Sequence, residues 1–233
     1  MKTVVIIPAF NEGRSIALVV NDIPPDAVDE IVVVNNASTD ETENNAKSAG
    51  ATVLREDRRG YGWACLRGIA YAREKGYELV VFLDGDYSDF PDELPLLTEP
   101  IIAGKAEFVV GSRMIGDREP GAMLPQAVFG NRLASFLMKI FWGGTFTDLG
   151  PFRAITMQAL DLIEMEDKTY GWTVEMQIKI LQHGLRYVEI PVSYRKRVGV
   201  SKITGTVSGT VNASAKILGL LFHYGLLRRR PRG

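Results

Sequence analysis

The sequence contains a single cysteine, Cys65, and only two histidines, His183 and His223. One cysteine excludes an intramolecular disulfide framework, so we interpret Cys65 as a small residue on a helix. Neither histidine has a partner at the spacing of metal ligands, and both are interpreted as structural. The chain therefore does not predict a histidine or cysteine metal centre.

The chain also lacks an apolar run long enough to cross a membrane, which takes about 20 residues. The C-terminal candidate, 217–227, is apolar apart from His223 and precedes the arginine-rich end 228–232. No signal-peptide pattern precedes the first predicted strand, so we expect a cytoplasmic protein. With 233 residues and 46% hydrophobic content, the chain can bury one core, and no linker or repeat divides it.

Net charge is nearly absent, at −1, but the basic residues are unevenly distributed. From Arg186 onward there are ten Lys or Arg residues against a single acid, Glu189. Nucleic acid is one explanation of such an end, but the aromatic spacing of a base-stacking surface is absent. We therefore expect an anionic lipid surface or a phosphate as the partner, and no nucleic acid.

Apolar runs alternate with helical patterns along the first part of the chain. Strands are predicted at 3–7, 30–34, 52–54 and 79–83, and helices at about 15–22, 41–49 and 62–75. This alternation is typical of an α/β fold in which a mostly parallel sheet carries helices on both faces. Right-handed crossovers bring the polar strand ends to one edge, where a common crevice is predicted between 8–12, 35–40 and 84–89.

Two carboxylates, Asp84 and Asp86, flank Gly85 directly after the predicted strand 79–83. Mg²⁺ and Mn²⁺ prefer oxygen ligands and leave positions open for substrate phosphates. The pair therefore predicts a divalent cation that holds a nucleotide diphosphate. The alternative is a pair of solvated acids in a surface loop.

Five motifs occur in the order found in the family 2 glycosyltransferases with the GT-A fold, which the chain resembles over roughly residues 2–205. The motifs are Pro8-Ala9-Phe10-Asn11-Glu12, Asn35-Asn36-Ala37-Ser38-Thr39-Asp40, Asp84-Gly85-Asp86, Gly111-Ser112-Arg113 and Asp148-Leu149-Gly150-Pro151-Phe152-Arg153. Within this family the chain is most similar to the polyprenyl-phosphate (dolichyl-phosphate) sugar synthases. Those enzymes move glucose or mannose from a nucleotide diphosphate to a lipid phosphate at the cytoplasmic membrane face.

The resemblance implies a role for each of the following residues. Nucleotide-sugar binding is implied for Pro8, Ala9, Asn11, Glu12, Asn35, Asn36, Asp40, Asp84, Gly85 and Arg113. Mg²⁺ or Mn²⁺ is implied at Asp84 and Asp86, and catalytic roles for Asp86, Asp148, Arg153 and Arg132. Acceptor or phosphate binding is implied for Arg132, Ser135, Glu175, Arg197 and Lys202.

The chain departs from the family pattern at two places. Family members commonly carry an acidic residue that reads the nucleobase where this chain has Asn35 or Asn36. Members also often carry a glutamine at the position of Ser88, so a third protein ligand to the metal is either absent or supplied by Asp89.

The resemblance implies an inverting hexosyl transfer to polyprenyl phosphate. UDP-glucose is favoured over GDP-mannose, because 148–153 and 170–175 look closer to the glucosyl branch. A hydroxyl acceptor would instead require a carboxylate base, Asp148 or Asp89. A sugar nucleotidyltransferase is an alternative, although a Gly-rich phosphate loop is missing after the first strand. A non-catalytic membrane adaptor is another.

Two segments suggest peripheral membrane contact. Apolar residues at helical spacing fill 129–142, which predicts either a core-facing helix or an interfacial one. The second segment is the apolar run with its basic end, so we divide the chain into a catalytic domain, 1–205, and a membrane-interface candidate, 206–233. A separate protein that supplies a membrane anchor is a further expected partner.

Some polar residues have a simpler interpretation. Arg195 and Lys196 are also compatible with a solvated basic surface. Glu175 opens a helical pattern that runs to Gln182, where a carboxylate is favoured by the helix dipole alone; the alternative is a contact to sugar hydroxyls.

Overall fold

The computed structural model describes residues 1–199 and 207–227. Its strands are β1 Thr3–Ala9, β2 Glu30–Asn35, β3 Thr52–Arg55, β4 Leu79–Phe82, β5 Phe108–Ser112, β6 Arg153–Thr156 and β7 Tyr187–Pro191. Its α-helices are α1 Ile16–Asp22, α2 Thr42–Ser48, α3 Tyr61–Glu74, α4 Leu94–Ile102, α5 Pro125–Trp142, α6 Met157–Ile163, α7 Trp172–Gln182 and α8 Val207–Leu227. The strands and helices predicted in the first 83 residues are confirmed, with ends that differ by one or two residues.

The described strands form one mixed sheet in the order β3-β2-β1-β4-β6-β5-β7. Strands β1 to β4 are parallel to their neighbours within that half of the sheet. Strand β6 inserts antiparallel between β4 and β5, and β7 pairs parallel with β5. The expected α/β fold with a mostly parallel sheet is therefore confirmed, whereas the antiparallel insertion of β6 was not predicted.

Both faces of the sheet are covered, so its strands consist of nearly continuous apolar residues. All residues of β1, β4 and β5 are buried. Successive side chains point to opposite faces of a strand. Accordingly Val4 and Ile6 belong to one core, while Val5 and Ile7 belong to the other. This packing fixes the strand register and hence the place where each polar strand end emerges.

Helix α8 packs against α5 and α7 rather than standing apart from the sheet domain. Leu221 is fully buried, and the rings of Phe222 and Phe141 meet edge to face at 5.9 Å. Gly225 allows close approach, because a Cβ atom there would lie 2.8 Å from the Phe141 ring. The division of the chain at residue 205 stays a prediction, since 200–206 lie outside the described residues.

Helix α5 turns much of its apolar stripe outward. Its buried residues are Asn131, Ala134 and Met138, whereas Phe129, Phe136 and Ile140 are exposed. The core-facing interpretation of 129–142 is therefore wrong for those three side chains. No helix in the described part of the chain combines the length and the apolarity that crossing a bilayer requires.

Candidate active site

A cavity of about 580 Å³ opens where β1, β2 and β4 end. We call it the sheet-edge cavity. Its lining includes the predicted residues Pro8, Ala9, Glu12, Asn36, Asp84, Gly85, Asp86, Arg113 and Arg197. The common crevice expected from the strand ends is thus present. It also includes Trp172, which the sequence suggests as an apolar face for a sugar ring, and residues that sequence reasoning did not single out for the site, among them Arg59 and Tyr61.

Asp84 follows β4 at the centre of this edge. The Tyr61 hydroxyl donates to its Oδ1 over 3.1 Å. Burial, together with the negative charge of Asp86, raises the pKa of Asp84 to about 7. Since an ordinary aspartate pKa is near 4, this carboxylate carries an unusual cost of ionisation that a bound cation relieves.

Asp86 has partners on both carboxylate oxygens. Its Oδ1 accepts from the Ser88 amide at 3.0 Å, and its Oδ2 pairs with Arg197 Nη1 at 2.7 Å. The Arg197 guanidinium is a positive charge already seated on this carboxylate.

Asp84 and Asp86 fit a hard divalent cation, because such cations prefer negatively charged oxygen ligands and both carboxylates line the cavity. Among the described residues no cluster of three or more His, Cys, Asp or Glu side chains is arranged as metal ligands. Asp89 therefore does not complete a three-ligand set here. Both of its carboxylate oxygens are buried without a hydrogen-bond partner. The remaining ligands would come from substrate phosphates or water.

Arg113 reaches the sheet-edge cavity from the end of β5, held by Asp148. Its Nε and Nη2 each donate to the Asp148 carboxylate at 2.8 Å. Burial opposes the charged form of Asp148, but the charge and hydrogen bonds of Arg113 outweigh it and lower the pKa of that carboxyl. Asp148 is fully buried and lies outside the cavity lining. Its structural role is to orient Arg113, and a carboxylate bound in this way is unsuited to act as a general base.

Arg153 is fully buried and does not line the cavity. Its guanidinium donates to the backbone carbonyls of Leu149, Gly150 and Thr173. Burial lowers its pKa to about 10. The structure thus places Arg153 behind the site, where it joins β6 to the loop that carries Asp148 and to helix α7.

Several of the predicted nucleotide-binding residues hold the loops together and do not line the cavity. The Asn11 Oδ1 accepts from the Thr39 amide at 2.8 Å, and the Asp40 Oδ2 accepts from the Gly13 amide at 3.0 Å. Asn35 donates to Glu43 at 3.0 Å. The contacts of Asn11 and Asp40 connect the loop after β1 to the loop after β2, and the contact of Asn35 connects the end of β2 to α2.

Asn36 shapes one cavity wall through its side chain. Its Nδ2 donates to the carbonyls of Glu56 and Arg58, and its Oδ1 accepts from the Gly60 amide. At Gly60, φ is +147° and a Cβ atom would lie 2.3 Å from the Lys168 carbonyl oxygen, so only glycine fits. These contacts use both ends of the Asn36 amide, and its predicted role in nucleotide-sugar binding stays a prediction.

The acceptor candidates are divided between different places. Arg132 lies in a second cavity of about 570 Å³, which we call the arginine cavity; its lining includes Arg118, Glu119, Met123, Phe129 and Arg132. Ser135 stands one turn along α5, and its hydroxyl is buried without a partner among the described residues. Lys202 lies outside the described residues. Sequence reasoning missed Arg118, whose acidic neighbours in the chain gave no basic pattern.

Glu175 lies outside both cavity linings. It is buried in the first turn of α7, accepts from the Asp167 amide at 2.7 Å and pairs with Lys179 at 2.9 Å. The expected sugar contact is not supported by this geometry, and the helix-terminus interpretation is.

Tyr194 connects the two cavities. The Arg113 guanidinium lies over its ring at 4.9 Å from the centroid, and the Glu119 amide donates to its carbonyl at 2.9 Å. Tyr194 thus contacts one lining residue of each cavity.

The overall fold is that of solved GT-A glycosyltransferases. Glucosyl-3-phosphoglycerate synthase from Mycobacterium tuberculosis, solved in complex with Mn²⁺, UDP and glucosyl-3-phosphoglycerate, superposes with a TM-score of 0.77. The match is 22% identical and covers 96% of this chain and 80% of that one.

Residues 4–162 match the family described as Glycosyl transferase family 2, and the chain belongs to that family. An undecaprenyl-phosphate mannosyltransferase of Micrococcus luteus is 32% identical, with 99% of each chain covered. A polyprenol monophosphomannose synthase of Mycolicibacterium smegmatis is 27% identical, over 88% of this chain and 82% of the relative. The resemblance seen in the motifs is thereby confirmed.

Proposed function

We propose that this protein is an inverting hexosyltransferase that moves a hexose from a nucleoside diphosphate to a polyprenyl phosphate at the cytoplasmic membrane face. The observation that carries the proposal is the pairing of two cavities. One combines Asp84 and Asp86 with Arg113, and the other contains Arg118 and Arg132. The exposed apolar face of α5 begins at the second cavity with Phe129, which suits an acceptor that is both anionic and lipidic.

The sheet-edge cavity is proposed for the donor. Asp84 and Asp86 would hold Mg²⁺ or Mn²⁺, which neutralises charge on a diphosphate leaving group when it is bound. Arg113 and Arg197 supply guanidinium groups that bind phosphate oxygens in a bidentate manner. Asp148 keeps Arg113 extended into the cavity, so the electrostatic stabilisation is arranged before the donor binds.

The arginine cavity is proposed for the acceptor phosphate. A phosphate is already anionic near neutral pH, so it requires orientation more than removal of a proton. Arg132 and Arg118 suit that task. The alternative hydroxyl acceptor needs a carboxylate base, and the bidentate contact of Asp148 with Arg113 argues against Asp148 in that role.

The identity of the nucleotide-sugar donor is a separate part of the proposal. The motifs favoured UDP-glucose, whereas the names of both curated relatives contain mannose. Those relatives cover most of this chain, so we now favour the alternative, GDP-mannose, and retain UDP-glucose as the second candidate.

A donor panel tests the proposal directly. Purified protein is incubated with polyprenyl phosphate in vesicles, Mg²⁺ or Mn²⁺, and UDP-glucose, UDP-galactose, GDP-mannose or CDP-glucose in turn. We expect one sugar to appear on the lipid with release of the matching nucleoside diphosphate. Release of pyrophosphate would instead identify a nucleotidyltransferase, and the absence of any metal-dependent turnover would favour the membrane adaptor.

The Asp86→Asn variant tests the metal assignment in the same assay. We expect turnover to fall at least about 100-fold, because an uncharged ligand stabilises a developing negative charge poorly through the metal. Thermal unfolding should show that the variant is folded. Near wild-type turnover would contradict the role of Asp86.

A further inference from the structure

The segment 193–199, which we call the basic segment, is docked along the turn 84–90 by its backbone. The Arg195 amide donates to the Ser88 carbonyl, and the Val198 amide donates to the Asp86 carbonyl, each over 2.9 Å. The basic segment and the turn with the proposed metal ligands therefore form one unit before any substrate is bound.

The side chain of Arg195 closes this contact. Its Nε donates to the Tyr87 carbonyl at 2.8 Å, and its Nη2 donates to the Asp89 carbonyl at 3.2 Å. The guanidinium also lies over the rings of Tyr87 and Phe90, at 3.4 and 4.2 Å from their centroids. Only 18% of the side chain is exposed. The interpretation of Arg195 as a solvated surface residue is therefore wrong.

The residue that Arg195 binds has an unusual backbone. Tyr87 has a φ of +63°, a conformation that bulky residues rarely adopt and that surrounding contacts must maintain. Arg195 binds the Tyr87 carbonyl and covers its ring, while the Tyr87 hydroxyl binds Asp22. A lysine has one compact ammonium and cannot reproduce the planar fork and the stacking together.

Arg197 lies between the two anchored residues Arg195 and Val198. Its Nη1 lies 2.7 Å from the Asp86 Oδ2. We infer that Arg195 is a positioning residue that latches the basic segment onto the turn 84–90, and that this latch places Arg197 on Asp86 as a counter-ion until the donor binds. The counter-ion role rests on the proposed function of Asp86 as a metal ligand.

The contact between Arg197 and Asp86 affects how tightly a cation and a nucleotide bind. A divalent cation alone must compete with Arg197 for Asp86. A cation that arrives with a nucleoside diphosphate also brings phosphate oxygens, to which Arg197 can transfer its charge-assisted hydrogen bonds. Cation and nucleotide should therefore bind more tightly together than separately.

Hydrogen exchange of the metal-free protein tests the latch. In Arg195→Gln we expect the amides of Arg195 and Val198 to exchange about tenfold faster, which corresponds to a modest loss of opening free energy. Arg186→Gln is the matched control, since Arg186 also donates to a backbone carbonyl, that of Gly104, but far from the turn. Unchanged exchange of both amides in Arg195→Gln would overturn the latch.

Mn²⁺ binding without nucleotide, followed by electron paramagnetic resonance, tests the counter-ion role. We expect Arg197→Gln to bind Mn²⁺ about fivefold more tightly than wild type, because a competing cation is removed. Arg195→Gln should shift the affinity in the same direction, and the double variant should bind no more tightly than Arg197→Gln. That non-additivity is the signature of one residue acting through the other.

Other outcomes of the titration count against the inference. Unchanged affinity in Arg195→Gln, or full additivity with Arg197→Gln, would reduce Arg195 to a stabilising contact. If none of the four proteins binds Mn²⁺, the counter-ion role falls together with the proposed metal site. Hydrogen exchange decides the latch independently of that result, so the two failures are distinguishable.

Discussion

At the scale of single residues, charge in this protein is divided between groups that face the cavity and groups that hold those groups in place. Asp84, Asp86 and Arg113 line the sheet-edge cavity, whereas Asp148 and Arg153 lie behind it. Both sets are charged, and both come from motifs that carry the family resemblance. Asp148 and Arg153 are fully buried, and their side chains bind other protein groups: a guanidinium for Asp148 and carbonyl oxygens for Arg153.

Arg153 should therefore behave as a structural residue. Replacing it with methionine leaves the carbonyls of Leu149, Gly150 and Thr173 without their donor, and we expect a loss of about 3 kcal/mol in the free energy of unfolding. Chemical denaturation measures this loss, with Arg186→Met as a surface control. Unchanged stability combined with lost turnover would contradict the structural role and restore the catalytic one.

Asp84 gives a pH-dependent prediction. Its pKa is raised to about 7 in the folded protein, against 3.8 ordinarily. Protonation of Asp84 therefore favours the folded state. This contribution to the free energy of unfolding is fully present below about pH 4 and is lost as pH rises to about 7. Mg²⁺ binds the ionised form, so the rise in melting temperature caused by Mg²⁺ should be larger at pH 7.5 than at pH 6.

The Asp84→Asn variant is the control for this titration, measured without metal. It has no titrating carboxyl at this position, so the part of the stability change between pH 4 and 7 that belongs to Asp84 should disappear. Equal melting increments from Mg²⁺ at pH 6 and pH 7.5 in the wild type would contradict the raised pKa.

At the scale of elements, the apolar residues of helix α5 are divided between the core and the protein surface. Leu137 packs against the core, whereas Phe129, Phe136 and Ile140 face outward. Exposed apolar side chains arranged along one helix face are typical of a surface that lies in a membrane interface. In the proposed arrangement, the basic end of the chain would add attraction to anionic lipids.

Replacing Phe129 and Phe136 with serine should weaken binding to anionic liposomes about tenfold, because each buried aromatic side chain contributes on the order of 1 kcal/mol or more. Flotation measures the bound fraction. Leu162→Ser and Ile102→Ser form the control, since both residues are exposed on other helices, α6 and α4. Equal losses in the two variants would argue against a specific role for the α5 face.

The elements also show what sequence could and could not predict. Strands β1, β2 and β4 are signalled locally by apolar runs that end in polar residues, so their ends and Asp84 could be located. Strand β6 has four residues, and its antiparallel place is set by partners distant in the chain. The same limit explains why the sequence did not reveal the partners of Glu175 and Arg195. A charged residue in sequence does not reveal whether its partner is a ligand or a backbone group.

At the scale of the whole molecule, the proposed reaction requires that a water-soluble donor and a lipid acceptor meet at one protein surface. The sheet-edge cavity, the arginine cavity and the α5 face follow one another, with Tyr194 in contact with the walls of both cavities. Under the proposed function, such an order would let a peripheral protein bring the lipid phosphate to the donor.

Removal of the basic end 228–233 tests this peripheral arrangement. The deletion leaves both cavities and all of α8 intact, so turnover with a short, water-soluble polyprenyl phosphate analogue should stay within about twofold of wild type. With a long-chain lipid phosphate in anionic vesicles, turnover should fall about tenfold or more, because each basic residue near an anionic surface contributes roughly 1 kcal/mol. High salt should lower the turnover of the wild-type enzyme on the long-chain lipid toward that of the deletion variant, since screening weakens attraction between charges. A deletion that lowers turnover equally with both acceptors would place the basic end in the reaction itself, and one that lowers neither would remove it from membrane binding.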